Sequence, residues 1–148
     1  MTTYHASCHC GQLSLSFTKA PMMQLVCHCN DCREASAEPF MPCVFFASEA
    51  NTISGESRDE QAIGGSGQPK HNHYCTACGD FIYVVVDALQ GSIAVNGKAL
   101  RAPFQFKPTA HVWISQKLAE VSIPNGVLVF ERRPSLKALM PPAPTMPT

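Results

Sequence analysis

The sequence predicts an all-β domain with short helices. Short runs of alternating or β-favouring residues recur along the chain; Leu13, Leu15 and Phe17 give the clearest alternation and Phe81–Val86 the strongest β-favouring run. Glycine and proline punctuate those runs at short intervals. No internal repeat and no linker divides the chain, so residues 1–140 are expected to form a single domain.

In chain order, Gly11 allows a tight turn, and 12–18 then alternates as a half-buried strand: Leu13, Leu15 and Phe17 on one face, Ser14, Ser16 and Thr18 on the other. Pro21 breaks it, and Met22 to Val26 reads as a second strand. From Asn30 to Ala37 the residues suit a short helix, with Asn30 or Asp31 as N-cap and Pro39 just past its end. Phe40 to Ala47 is an apolar, aromatic strand, and Thr52–Ser54 another. Gly55 to Gln68 holds four glycines and reads as a loop, with at most a short strand near 61–63. His71 to Cys75 leads into a turn at Cys75–Gly79. Phe81–Val86, Ser92–Val95 and His111–Ile114 are further strands, with the single tryptophan, Trp113, on the last. Val121–Ile123 and Val127–Phe130 are edge strands or short helical pieces. Residues 141–148 belong to a proline-rich tail expected to be disordered.

Formal net charge is zero and no charge run is long, which argues against a nucleic-acid or acidic-membrane surface. The first twelve residues are polar and lack a signal-peptide core, and no apolar run reaches spanning length. A cytoplasmic location is therefore expected, where thiols stay reduced. That decides how the 8 Cys are read: as metal ligands or catalytic groups rather than as disulfides.

Seven of the eight fall into three groups: Cys8/Cys10, Cys27/Cys29/Cys32 and Cys75/Cys78. Closely spaced cysteine pairs are typical of zinc sites. Joining Cys8, Cys10, Cys75 and Cys78 makes a four-thiolate shell and leaves the triplet one ligand short. That partition uses every grouped thiol and ties the N-terminal strand to the middle of the chain, a long loop closure that metal binding can support. A rival partition pairs Cys75/Cys78 with two of the triplet and leaves Cys8/Cys10 loose. Four thiolates give a closed, unreactive shell. Three leave one corner, where an entering thiol would be deprotonated, so an open site suits a thiol ligand better than hydrolysis.

The groups occur in order as C-x-C-G (Cys8–Gly11), C-H-C-x-x-C-R (Cys27–Arg33) and C-x-x-C-G (Cys75–Gly79). Together they resemble the glutathione-dependent formaldehyde-activating enzyme family, also called the centromere protein V family. The resemblance extends to Ala35-Ser36, Pro39-Phe40, Pro108 and His111-Val112-Trp113, and covers roughly residues 4 to 130. It implies an Mss4-like, or β-tent, zinc-binding fold. It implies a structural zinc on Cys8, Cys10, Cys75 and Cys78 and a catalytic zinc on Cys27, Cys29 and Cys32, two per chain. The implied activity is carbon–sulfur lyase chemistry, joining glutathione and formaldehyde into S-hydroxymethylglutathione. Two positions depart from the family's usual residues: Ala37, often Gly, and Asp80, often Thr. Both lie beside a ligand.

The remaining chemistry-bearing residues have plainer readings. Cys43, with no cysteine neighbour in sequence, is a small buried core residue. His9 and His28 lie between thiols and are expected to point away from the metal. His71, His73 and His111 flank strands as hydrogen-bonded structural groups; His111 has a functional claim by resemblance only. Trp113, Phe40, Phe45 and Phe46 are core aromatics. Arg33, the cation nearest the triplet in sequence, is a candidate contact for a substrate carboxylate; its alternative is a solvated helix residue.

The leading expectation is a zinc-dependent carbon–sulfur lyase acting on a glutathione adduct or a similar small thiol, with no nucleic-acid or membrane partner and with a homo-oligomer permitted. One rival is a non-catalytic zinc-stabilised binding module. Another is a methionine sulfoxide reductase, for which Cys43 is the one ungrouped nucleophile, and its apolar surroundings oppose a lowered pKa.

Overall fold

The computed structural model describes residues 2–64, 67–89 and 91–134, so the proline-rich tail expected from 141 lies outside the described residues. The elements are β1 (Tyr4–Ser7), β2 (Ser14–Phe17), β3 (Met23–Cys27), α1 (Asn30–Ser36), β4 (Met41–Ala47), β5 (Asn51–Ser54), β6 (Ser57–Ile63), β7 (Pro69–Cys75), β8 (Phe81–Val86), β9 (Ser92–Asn96), β10 (Ala110–Val112) and β11 (Leu128–Val129), with short 3-10 turns between several of them. The protein is all-β, as expected. A three-stranded sheet runs β1-β2-β5 and an eight-stranded sheet runs β11-β10-β3-β4-β9-β8-β7-β6. No helix among the described residues is long and apolar enough to cross a membrane.

Strand β4 explains how the sheets pack. It reads as a continuous apolar run because both of its faces are covered: Met41 through Phe46 are all buried. Val44 and Phe46 face the small sheet and join Leu13, Leu15 and Phe17 in one core, where the Phe17 and Phe46 rings stack at 4.1 Å. Met41, Cys43 and Phe45 face the other way and join Leu25, Cys27, Ala94 and Val112 in a second core. The large sheet therefore carries apolar clusters on both sides, and Cys27 belongs to the outer one.

Several elements differ from expectation; β10 ends at Val112, so Trp113, at φ 58°, follows the strand and does not lie on it. Residues 57–63 form a full strand, β6, paired with β7 along its whole length. Its side chains are mostly exposed, so no apolar alternation marked it; Arg58 stacked on Tyr74 and Asp59 against His71 decorate the hairpin instead. Tyr4–Ser7 is also a strand, completing the small sheet beside β2. Residues 121–123 form no strand, whereas Leu128–Val129 pairs in parallel with β10, which itself runs parallel to β3.

Helix α1 has seven residues, too few to persist without outside support. Its N-cap is Cys29 rather than Asn30 or Asp31: the Cys29 Sγ accepts from the Cys32 N–H at 3.3 Å. The helix ends at Ala37 in the left-handed region, φ 56°. A side chain there costs about 1 kcal/mol or more.

Candidate metal centres

The first centre forms where two tight turns meet. Cys8 and Cys10 lie between β1 and β2; Cys75 ends β7 and Cys78 lies in the turn to β8. Gly11 and Gly79, each just past a pair, both have φ 80°, a conformation glycine adopts without steric cost. The four Sγ atoms lie within 4.8 Å of one another. The Cys8–Cys10 and Cys10–Cys75 separations are 3.5 and 3.7 Å. Four sulfurs 2.3 Å from a shared ion would stand about 3.8 Å apart, so the donor set fits a tetrahedral soft cation.

Polar donors aim at these sulfurs. Leu13 N–H reaches Cys8 Sγ at 3.4 Å, and the Gln12 amide reaches Cys75 Sγ at 3.2 Å. The Cys78 backbone N–H, with that of Ala77, holds the Cys75 thiol down to about 6. Cys10 accepts from the Gln12 backbone, which lowers it, yet the Cys8 thiol and burial push it up to about 12. His9 turns outward onto Asp80 at 2.7 Å. The structure thus brings Cys75 and Cys78 to Cys8 and Cys10, and not to the triplet.

The second centre is built by the end of β3 and the first turn of α1. Cys27, Cys29 and Cys32 have Sγ atoms within 4.8 Å of one another, and no fourth His, Cys, Asp or Glu among the described residues joins that group. Cys27 donates to Cys29 at 3.3 Å. The Cys29 and Cys32 thiols push Cys27 well above its ordinary range. Hydrogen bonds from Cys27 and Cys29, then from Cys43, hold Cys32 well below it. Three sulfurs this close together fit a shared soft cation.

One residue here escaped the sequence reading, and another was read without its neighbour. Lys70 is 8% exposed, lies 3.8 Å from Asp31, and its charge favours the Cys32 thiolate. It stands between the loop read over 55–68 and the run read from His71; its only signal is the inward alternation of Lys70 and Asn72 along β7, visible once that strand is known. Cys43 is buried as expected, but beside Cys32, whose thiol together with burial raises it well above its ordinary range. Arg33 spends donors on the His28 carbonyl at 3.4 Å, the Gln116 carbonyl at 3.2 Å and Asn30, pinning α1 to the chain after Trp113.

His28 stands outside the triplet group. It is fully buried; its Nε2 meets His111 Nδ1 at 2.8 Å, while its own Nδ1 has no hydrogen-bond partner. Burial, then the charge of His111, pulls His28 down to about 4, and burial lowers His111 as well. Both imidazoles are therefore neutral at physiological pH. An unfolded His titrates near 6.5. With folded values below that, the pair's contribution to stability is complete above about 6.5 and lost as pH falls towards 4. Ring-nitrogen NMR at pH 5.5 is expected to show a neutral His28; a protonated His28 at that pH would contradict the assignment.

The family model described as glutathione-dependent formaldehyde-activating enzyme matches residues 3–116. No curated protein matches the chain. Among solved structures, the crystal structure of a Rhodobacter sphaeroides protein is similar in fold: TM-score 0.50, 14% identity, covering 85% of this chain and 98% of that one.

Proposed function

Because the chain belongs to the glutathione-dependent formaldehyde-activating enzyme family, we propose that it is a zinc-dependent carbon–sulfur lyase acting on a glutathione adduct or a similar small thiol. Cys8, Cys10, Cys75 and Cys78 would hold a structural zinc, and Cys27, Cys29 and Cys32 a catalytic one. The observation that carries this reading is the contrast between the two clusters: four converging thiols in one, three in the other. When bound at Cys27, Cys29 and Cys32, zinc would supply Lewis acidity that favours a substrate sulfur as thiolate at neutral pH.

In the forward direction a C–S bond forms between the thiol and an aldehyde carbon. The carbonyl π bond breaks, and the thiol proton ends on the former carbonyl oxygen. The chain's own contribution is mainly electrostatic. Lys70 offsets the excess negative charge of several sulfurs in a partly dry site, where such charge is costly. The Lys70 charge, which favours the Cys32 thiolate, favours an anionic thiol such as glutathione as well, whereas the Arg33 donors are taken up in holding α1. Cys43, the nucleophile a sulfoxide reductase would need, is buried and held protonated, which speaks against that rival.

The test is titration of the zinc-loaded protein with glutathione, followed by glutathione with formaldehyde, repeated on cobalt-substituted protein. Heat on thiol addition and a shifted cobalt absorption band are expected. If neither appears with any small thiol, the binding-module reading replaces this one.

A further inference from the structure

Strand register places a row of side chains beside the triplet. On β3 and β4, Met23 stands opposite Phe45, Leu25 opposite Cys43 and Cys27 opposite Met41. Val112 of β10 stands opposite Cys27 from the other side. These residues lie on the outer face of the large sheet, and a cavity of about 140 Å³ opens among them. Met23, Leu25, Leu89 and Trp113 supply apolar wall, the Cys27 and Cys43 thiols border it, and Arg133 stands at an exposed edge. Cys27 therefore belongs to both the metal-ligand triplet and the cavity wall. A sulfur held at the triplet would be neighbour to this space.

We propose that this cavity receives an apolar substituent of the substrate, about the size of a phenyl ring or a branched alkyl group. This deepens the lyase reading and rests on it. The argument is one of size and polarity. A dry apolar cavity of about 150 Å³ accepts a benzene molecule, so the space here matches a group of about six carbons. Formaldehyde brings one carbon and would leave it largely empty, and the peptide groups of glutathione are too polar for such walls. The substrate class that fits is a thiol, or the adduct of a thiol with an aldehyde, that carries an aryl or branched alkyl group near the sulfur.

The experiment uses the zinc-loaded full chain with three probes: toluene, benzyl mercaptan and 2-mercaptoethanol. Trp113 is the only tryptophan and borders the cavity, so its emission reports occupancy directly. Toluene is expected to shift that emission. Benzyl mercaptan is expected to bind at least tenfold more tightly than 2-mercaptoethanol, because its ring leaves water for the cavity. Met23→Phe, which fills the space, is expected to bring the ratio of the two thiol affinities to about one; Leu89→Phe repeats the test from another wall should the first variant fold poorly. Equal affinities in the wild type, or toluene without effect on Trp113, overturn the proposal. Toluene binding without any thiol effect at the metal upholds the cavity as an apolar site and overturns the lyase reading.

Discussion

Cys75→Ser is expected to lose the metal of the four-cysteine centre and, with it, the fold. Cys75 is 1% exposed at the end of β7 and meets a sulfur 65 residues away in sequence. The other links between the turn after β1 and the turn after β7 are hydrogen bonds at or near the surface, such as His9 on Asp80 and Gln12 on Cys75, and each contributes only about 1 kcal/mol. Structural zinc supplies about 10–16 kcal/mol in small zinc domains, as much as the whole stability of an ordinary domain, about 5–15 kcal/mol. Circular dichroism of the variant is therefore expected to show no cooperative thermal transition at the wild-type midpoint, and elemental analysis a loss of bound metal. A variant that melts where the wild type does, with its full metal content, would remove the assignment of this centre.

Cys29→Ser is expected to have a contrasting outcome. Serine is itself a good N-cap, so α1 keeps its cap when the sulfur goes. The thermal midpoint is expected to stay within a few degrees of wild type, since about 1 kcal/mol moves a domain of this size by only a few degrees. Metal content is expected to fall from two per chain to one. Thiol binding is expected to vanish, and turnover to drop by more than about a hundredfold, the upper range for losing a mere outer-shell partner. A variant that still binds glutathione with wild-type heat would show that the triplet is not where the thiol goes.

What could be read in advance followed from locality. The three cysteine groups each lie within six residues, so their spacing announced clustered sulfurs before any long-range contact was known. Strands with one apolar face, such as β2, were equally legible. The β6–β7 hairpin was not, because it turns polar side chains to water and holds together through cross-strand pairing and aromatic or ionic contacts. Lys70, and the place of Cys43 beside the triplet, were missed for a different reason. Each reaches the triplet through strand pairing across the sheet, and no local pattern records who a strand's neighbour will be. The helix cap at Cys29 was hidden because a thiol is not among the usual capping groups.

The difference in span between the two centres also bears on the chain before it folds. Cys27, Cys29 and Cys32 are close neighbours in any conformation, so an unfolded or nascent chain can already capture a metal there. Ligand that binds both states stabilises neither strongly. Cys10 and Cys75, 65 positions apart in sequence, meet only after the chain between them has been gathered in, and an ion that binds there favours the native state almost exclusively. Metal at the triplet is thus a reagent the chain can carry from the start, whereas metal at the four-cysteine centre acts by mass action as a folding ligand.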